Sequence, residues 1–204
     1  MFRLLIFMVI SLLSLQTMAE PVIVVLGDSI SAGYGIPVED GWVSLLQKKL
    51  LTHHGHYSFY NASISGETSA GGLARIDALL NSQKPDIVLL QLGANDGLRG
   101  LSPIDLKSNL AEITRRAQTS GATVLLLSMK IPANYGKRYV DLFYNVYPQL
   151  AKQLNITLVP FLLEDVALHK DLMQADGLHP NAKAQALLAN KIEPYLLPLL
   201  PLLQ

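Results

Sequence analysis

The chain contains no cysteine among its 204 residues. This absence excludes both a disulfide framework and a thiolate nucleophile. The chain also has no excess of either charge, because 16 basic and 16 acidic residues cancel. Domains that bind nucleic acid concentrate positive charge on one surface, so this balance argues against a nucleic-acid partner.

The N-terminal segment, residues 1–19, contains one long apolar run, whereas the apolar runs predicted to form strands in the rest of the chain are short. One early cation, Arg3, precedes a long apolar run that ends at polar Gln16 and Thr17. A small-x-small step then ends at Ala19. This pattern predicts a secretory signal peptide that is cleaved after Ala19, with an uncleaved membrane anchor as the alternative. The lack of cysteine near this step argues against a lipid-modified lipoprotein.

Cleavage at that point would leave residues 20–204, which are 185 residues (204 − 19). This length suits one domain with one core. We therefore expect a periplasmic or secreted protein with no stable membrane insertion after cleavage. The sequence carries no signal for its oligomeric state.

Short apolar runs alternate with amphipathic helical patterns along the predicted mature chain. Most runs are continuously apolar, as in parallel strands that are covered on both faces. The pattern predicts a three-layer α/β/α sandwich around a five-stranded parallel sheet. The five predicted strands are 22–26, 57–62, 87–92, 123–128 and 157–161.

The helical patterns lie between these strands. A helix is predicted to start at Ser102 as N-cap, followed by Pro103 in the first position. Another carries Pro148, which should bend it, and the last follows Pro180. The tail after this helix, residues 196–204, is apolar and interrupted by proline, so we expect it to pack loosely or fray.

Polar residues follow several of the predicted strands. Right-handed crossovers place the loops after the strands on one edge of the sheet, where ligands of open α/β sheets bind. Gly27-Asp28-Ser29 follows the first strand, residues 61–68 the second and residues 93–97 the third. Residues 176–180 come after the fifth strand and an intervening stretch interpreted as polar.

These loops contain the parts of a serine hydrolase site. Ser29 is the candidate nucleophile, His179 the candidate general base, and Asp176 the group that orients the imidazole. The backbone N–H groups of Ser29 and Gly66 and the side-chain amide of Asn95 are the candidate oxyanion donors.

Each residue also has a structural interpretation. Ser29 alone could cap a helix, Gly66 alone could serve a turn, and Asp176 with His179 could be a surface polar pair. We assign Asp28 and Asp96 to the scaffold, as acceptors for backbone N–H groups. The functional interpretation is favoured because all the pieces fall on one predicted edge.

Three histidines, His53, His54 and His56, form a second polar cluster. Histidine is a common metal ligand, but these residues end an amphipathic helix, with Gly55 as its predicted C-cap. No carboxylate lies immediately beside them in the sequence. We therefore expect no metal site there, and the sequence indicates no other cofactor.

The ordered motifs resemble the SGNH hydrolases, also called the GDSL family. The likeness rests on residues 27–30, with Ile30 where the family usually has leucine, on Gly66, on residues 93–96 and on residues 176–180. It spans about the whole predicted mature chain. Within the family the likeness is strongest to bacterial periplasmic enzymes with thioesterase, protease, lysophospholipase and arylesterase activities.

The resemblance implies a flavodoxin-like sheet with strand order 2-1-3-4-5. It also implies the roles assigned above: Ser29 as nucleophile, His179 as base, Asp176 as its partner, and Ser29, Gly66 and Asn95 as the oxyanion hole. The G-x-S-x-G elbow of α/β-hydrolases is excluded, because Ser31 stands where its last glycine would be.

The first hypothesis is a hydrolase that cleaves esters and thioesters of acyl chains through an acyl-enzyme. Its partner would be a small-molecule acyl ester or thioester. The candidate acyl contacts are Leu98, Leu101, Ile131, Pro132 and Tyr135. The second hypothesis is a periplasmic module that binds an anionic or acylated ligand at the same edge without turnover.

Overall fold

The fold is taken from a computed structural model, which describes residues 20–200. The predicted signal peptide, residues 1–19, and the last part of the apolar tail, residues 201–204, lie outside the described residues. The predictions made for those segments therefore remain predictions.

Five parallel strands form one sheet in the order β2-β1-β3-β4-β5. This confirms the predicted strand number, direction and order. Every observed strand begins at or within one residue of its predicted start, and most end one or two residues earlier than predicted. The strands are β1 Val22–Gly27, β2 Ser58–Asn61, β3 Ile87–Gln91, β4 Thr123–Leu127 and β5 Thr157–Val159.

Helices cover the sheet in two rows. One row pairs α2 with α7, and α5 packs between α3 and α6 in the other. The helices are α1 Ser29–Ala32, α2 Trp42–His53, α3 Ser69–Gln83, α4 Ala94–Leu98, α5 Pro103–Thr119, α6 Lys137–Leu154 and α7 Ala182–Leu196. Short 3₁₀ turns occupy Val38–Asp40, Ala133–Tyr135, Lys170–Leu172 and Leu197–Leu199.

The core lies on both faces of the central strands. From Ile23 to Leu26 every side chain of β1 is fully buried, and the same holds for Val88 to Leu90 of β3. Fully burying such aliphatic side chains stabilises the fold by about 1.5–3 kcal/mol each. A strand that is apolar on both faces therefore has to lie in the interior of the sheet.

The start of α5 agrees with the sequence prediction. The hydroxyl of Ser102 accepts hydrogen bonds from the N–H groups of Ile104 at 3.2 Å and Asp105 at 3.4 Å. Pro103 occupies the first helical position, where its missing N–H costs nothing. In the next helix, α6, the chain passes Pro148 without ending there.

Two local predictions are wrong. The segment after β5 is not polar, because Leu162, Leu163 and Val166 are buried in the core. Its apolar residues follow neither a helical nor a strand period, since the segment consists of turns. Helix α2 has its C-cap at His54 rather than Gly55, and Gly55 follows with a φ of 100°.

The described part of the chain provides no support for a metal site or a membrane span. No group of three or more His, Asp or Glu side chains in residues 20–200 is arranged to hold a metal ion. None of the helices described is both long enough and apolar enough to cross a bilayer. In the tail, Leu196 is fully buried, and Leu197, Leu199 and Leu200 pack against the core.

Candidate active site

The candidate nucleophile Ser29 is the first residue of α1, and one residue separates it from the end of β1. Asp28 is the N-cap of this short helix, and its Oδ1 accepts the N–H of Ile30 at 3.0 Å. The interpretation of Ser29 as a helix cap is therefore wrong. Because Asp28 fills that role, the hydroxyl of Ser29 is available for another partner.

That partner is His179. Its Nε2 lies 2.8 Å from the Oγ of Ser29, and its Nδ1 lies 2.7 Å from Oδ2 of Asp176. Both distances are ordinary for hydrogen bonds. The structure thus aligns a hydroxyl, an imidazole and a carboxylate, although the serine and the histidine are 150 residues apart in sequence.

Local backbone contacts fix Asp176 against the ring. Its other oxygen, Oδ1, accepts the N–H groups of Leu178 at 2.9 Å and His179 at 3.0 Å. The hydrogen bond from the His179 side chain, helped by these backbone N–H groups, lowers the pKa of Asp176 to about 2. The carboxyl group is therefore ionised at neutral pH, as a partner for an imidazolium must be.

Asp28 belongs to the scaffold, as predicted, and it is fully buried. Burial raises its pKa to about 6, while hydrogen bonds from the Ile30 N–H and the Gln91 amide act in the opposite direction. The amide of Gln91 donates to Oδ1 at 3.1 Å, and its Oε1 accepts the hydroxyl of Ser31 at 2.6 Å. This network ties the β1–α1 turn to the end of β3.

Asp96 confirms the second scaffold prediction. It is buried in α4 and accepts the N–H of Ser69 at 2.8 Å and the hydroxyl of the same residue at 2.5 Å. These bonds fasten α4 to the first residue of α3. The loop after β2 and the loop after β3 are therefore held in a fixed relation to each other.

Asn95, the amide candidate, is the second residue of α4. Its Nδ2 donates to the carbonyl of Glu67 at 3.0 Å and to Oδ2 of Asp28 at a longer 3.4 Å. The helix is preceded by Gly93, which has a φ of 118° and no space for a Cβ beside the hydroxyl of Tyr147. Glycine is therefore required where the chain turns Asn95 toward the site.

Gly66 lies in the loop after β2, with a φ of 80°. Its carbonyl accepts a hydrogen bond from Nη2 of Arg99 at 2.9 Å. The next residue, Glu67, pairs with Arg75, whose guanidinium also binds the carbonyl of Ala62 at 2.6 Å. The loop is thus rigidly held beside Asn95, but Gly66 does not line the cavity that Ser29 opens into, and its oxyanion role remains a prediction.

A cavity of about 560 Å³ opens beside the Ser29 hydroxyl. Ser29, Asn95 and His179 form its polar end, and most of the remaining lining is apolar. Its size lies in the range of small-molecule sites. An ester carbonyl at the polar end would therefore have room for an apolar chain beyond it.

Three of the five predicted apolar contacts line this cavity: Leu98, Ile131 and Pro132. Leu101 and Tyr135 are not among its lining residues, and their role as acyl contacts stays a prediction. The hydroxyl of Tyr135 donates to the Leu98 carbonyl at 2.8 Å, and the Leu101 carbonyl accepts the hydroxyl of Tyr139 at 2.7 Å. Through these bonds both residues help to join the loop after α4 to the segment at the start of α6.

Sequence reasoning missed a further part of the cavity wall. This part comes mainly from the turns after β5, whose irregular apolar spacing gave no signal for a binding surface. Lys130 also lies there, with its ammonium group 4.6 Å from the ring centre of Tyr144 and 5.1 Å from that of Phe161. The missed residues include Met129, Lys130, Phe161, Leu163, Leu168, Met173 and Leu178.

Comparisons with known proteins agree with this geometry. Residues 25–187 match the model of the GDSL-like Lipase/Acylhydrolase family. The chain is 50% identical to Esterase TesA of Pseudomonas aeruginosa over 189 residues, which cover 93% of this chain and 94% of that protein. It is 42% identical to Thioesterase 1/protease 1/lysophospholipase L1 of Escherichia coli K12, over 95% of this chain and 91% of that protein.

Solved structures show the same architecture. The crystal structure of the psychrotrophic esterase EstA from Pseudoalteromonas sp., inhibited by monoethylphosphonate, superposes with a TM-score of 0.84. That protein is 42% identical, and the match covers 88% of this chain and 98% of that one.

Proposed function

The chain belongs to the GDSL-like Lipase/Acylhydrolase family, and from this premise we propose that it is a serine hydrolase of acyl esters and thioesters. The observation that carries the proposal is the hydrogen-bonded row formed by Ser29, His179 and Asp176, with distances of 2.8 and 2.7 Å. The row opens into a cavity large enough for an acyl chain.

In the first half-reaction, the Oγ of Ser29 attacks the carbonyl carbon while Nε2 of His179 takes the hydroxyl proton. The N–H groups of Ser29 and Gly66 and the amide of Asn95 are the proposed donors to the oxyanion. The imidazolium then protonates the leaving alcohol or thiol as its bond to the acyl carbon breaks. The acyl group remains as an ester on Ser29.

In the second half-reaction, His179 removes a proton from water, which attacks the acyl-enzyme. The second tetrahedral intermediate collapses, the carboxylic acid leaves, and the proton returns to Oγ of Ser29. Ionised Asp176 stabilises the imidazolium in both halves. The same donors serve ester and thioester bonds, because both develop negative charge on the carbonyl oxygen.

The mostly apolar lining of the cavity favours substrates that carry an acyl chain. Met129, Ile131, Phe161 and Leu163 offer apolar contacts beyond the polar end. The relatives named above are called an esterase and a thioesterase, protease and lysophospholipase. We infer that lysophospholipids and other lipid or aryl esters are substrates of this chain.

We also infer export, on the pattern of residues 1–19. Acyl-CoA and acyl-carrier protein are cytosolic, so export would make lipid esters the more accessible natural substrates. Expression of the full chain followed by N-terminal sequencing of the secreted or periplasmic form tests this, with Glu20 as the expected first residue. A chain that stays in the membrane with residues 1–19 attached would contradict it.

The alternative of a binding module without turnover finds no support. The relatives carry enzyme names, and the nucleophile and base candidates are already in contact. A chromogenic acyl ester separates the two hypotheses. With Ser29→Ala, hydrolysis should fall by roughly a thousandfold or more, while binding alone would give equal background rates for both proteins.

A matched control uses Ser120→Ala. This serine donates to the Ala117 carbonyl at the end of α5, away from the site edge, and should keep the full rate. Mass spectrometry after treatment with a phosphonate ester should show one adduct on the wild type and none on Ser29→Ala. An unchanged rate in folded Ser29→Ala protein would overturn the proposal.

A further inference from the structure

Tyr34 is a second aromatic ring at the imidazole. It lies in the turn after α1, between Gly33 and Gly35, which have φ values of 72° and 76°. Its ring centre is 4.6 Å from that of His179, with the two rings inclined at 39°. We propose that Tyr34 is a positioning residue that packs on one face of the His179 imidazole and supports its cationic form.

The proposal rests on the proposed function, because it gives Tyr34 a role through His179. Both ring nitrogens of His179 are occupied, Nδ1 by Asp176 and Nε2 by Ser29. Those bonds fix the ring within its own plane. Rotation out of the plane strains these bonds only through their angles, and the ring of Tyr34, centred 4.6 Å from that of His179, adds a packing contact that opposes it.

Backbone contacts hold Tyr34 in this place. The amide of Gln174 donates to the Tyr34 carbonyl at 2.7 Å and to the Pro180 carbonyl at 3.1 Å. The backbone N–H of Gln174 donates to the His179 carbonyl at 2.8 Å. One residue therefore joins the loop that follows the nucleophile to the loop that carries the base.

Glycine at position 35 makes this junction possible. A Cβ there would overlap the amide oxygen of Gln174, and the φ of 76° is unfavourable for other residues. Backbone contacts of the Tyr34 turn therefore set the tilted contact between Tyr34 and His179. Tyr34 as a whole residue is 52% exposed, so burial in the core does not explain its position.

The contact between Tyr34 and His179 would stabilise the imidazolium that forms during the reaction. The imidazole becomes cationic when it takes the Ser29 proton, and the face of an aromatic ring attracts a cation. The charged groups that act on His179 are Asp176 at Nδ1 and the buried Asp28. Tyr34 adds to their effect without adding another charge, and it shields one face of the imidazole from water.

The test compares Tyr34→Ala with Tyr34→Phe on a short-chain chromogenic ester. Loss of the ring should lower kcat by about three- to tenfold with little change in KM. The acidic limb of the pH profile of kcat/KM should move to lower pH by about half a unit, because the imidazolium loses a stabilising contact. Tyr34→Phe keeps the aromatic face and should retain most of the rate and the wild-type limb.

Tyr60→Ala is the matched control. Tyr60 is 45% exposed and lies on the edge strand β2, and its loss should leave both the rate and the profile unchanged. Thermal unfolding verifies that each variant is folded. Two results overturn the proposal: folded Tyr34→Ala with the wild-type rate and limb, or Tyr34→Phe as impaired as Tyr34→Ala.

The experiments distinguish a failure of the role of Tyr34 from a failure of the proposed function. If Ser29→Ala abolishes hydrolysis and Tyr34→Ala does not alter it, the hydrolase assignment stands and the role of Tyr34 falls. If Ser29→Ala retains hydrolysis, the proposed function itself fails.

Discussion

At the scale of single residues, the helix cap and the candidate nucleophile are neighbours in the sequence. Asp28 caps α1 and Ser29 is the first helical residue, so the helix start is satisfied without the hydroxyl of Ser29. Two adjacent polar residues read alike in a sequence, since both aspartate and serine are good N-caps. Their roles differ because only the serine hydroxyl meets His179.

Asn95 gives a prediction at this scale. Its amide now donates to the Glu67 carbonyl and, at 3.4 Å, more weakly to Asp28. If this amide serves the oxyanion, Asn95→Ala should slow turnover roughly a hundredfold or more. Ester hydrolysis measures the rate, and circular dichroism verifies the fold.

The control for Asn95→Ala is Asn81→Ala on the exposed surface of α3, which should keep full activity. Loss of the Glu67 contact should lower the stability of Asn95→Ala by about 1 kcal/mol. A folded Asn95→Ala protein with the wild-type rate would remove Asn95 from the oxyanion hole.

At the scale of elements, the sequence predicts those helices and strands whose side chains follow one simple rule. Strands β1 and β3 are continuously apolar because both of their faces are covered. Helix α3 was not predicted, although Ile76, Leu79 and Leu80 are buried on its inner face. Its first turn gives no apolar signal, because Ser69 binds Asp96 and Gly72 packs against Leu92.

Helix α5 offers a prediction about one element. Ser102 accepts two N–H groups at its start, so Ser102→Ala should lower the free energy of unfolding by about 1 kcal/mol. Urea unfolding measures this difference. Ester hydrolysis should persist, since no contact of Ser102 reaches the cavity.

Ser108→Ala is the comparison within the same helix. Ser108 is exposed in the middle of α5, where alanine is the better helix former, and stability should stay equal or rise slightly. Equal losses in the two variants would show that capping is not what Ser102 contributes.

At the scale of the whole molecule, topology explains why the polar site could be predicted and the cavity wall could not. Parallel strands bring the loops after β1, β3 and β5 to one edge, so Ser29, Asn95 and His179 had to lie near one another. The wall after β5 depends on how irregular turns pack. No periodic sequence pattern predicts how these turns pack. The positions of Leu163 and Met173 beside the site could therefore not be predicted.

The pH dependence of the free energy of unfolding should show the contribution of Asp28. Its pKa is about 6 in the fold against an ordinary value of 3.8, because burial disfavours its charged form. The folded state therefore holds the proton more tightly than the unfolded chain. The contribution of this group to the free energy of unfolding is greatest below pH 4, and it falls by about 2 kcal/mol as the pH rises from 4 to 7.

Asp28→Asn isolates that contribution, because asparagine also caps helices and does not titrate. The unfolding free energy of the variant minus that of the wild type should increase by about 2 kcal/mol between pH 4 and pH 7. Asp176, with its pKa lowered to about 2, acts oppositely and only in acid, and it is common to both proteins. The difference therefore reports Asp28 and its electrostatic interactions with His179 and Asp96. Parallel stability curves for the two proteins would mean that the buried carboxyl group ionises as it does in water.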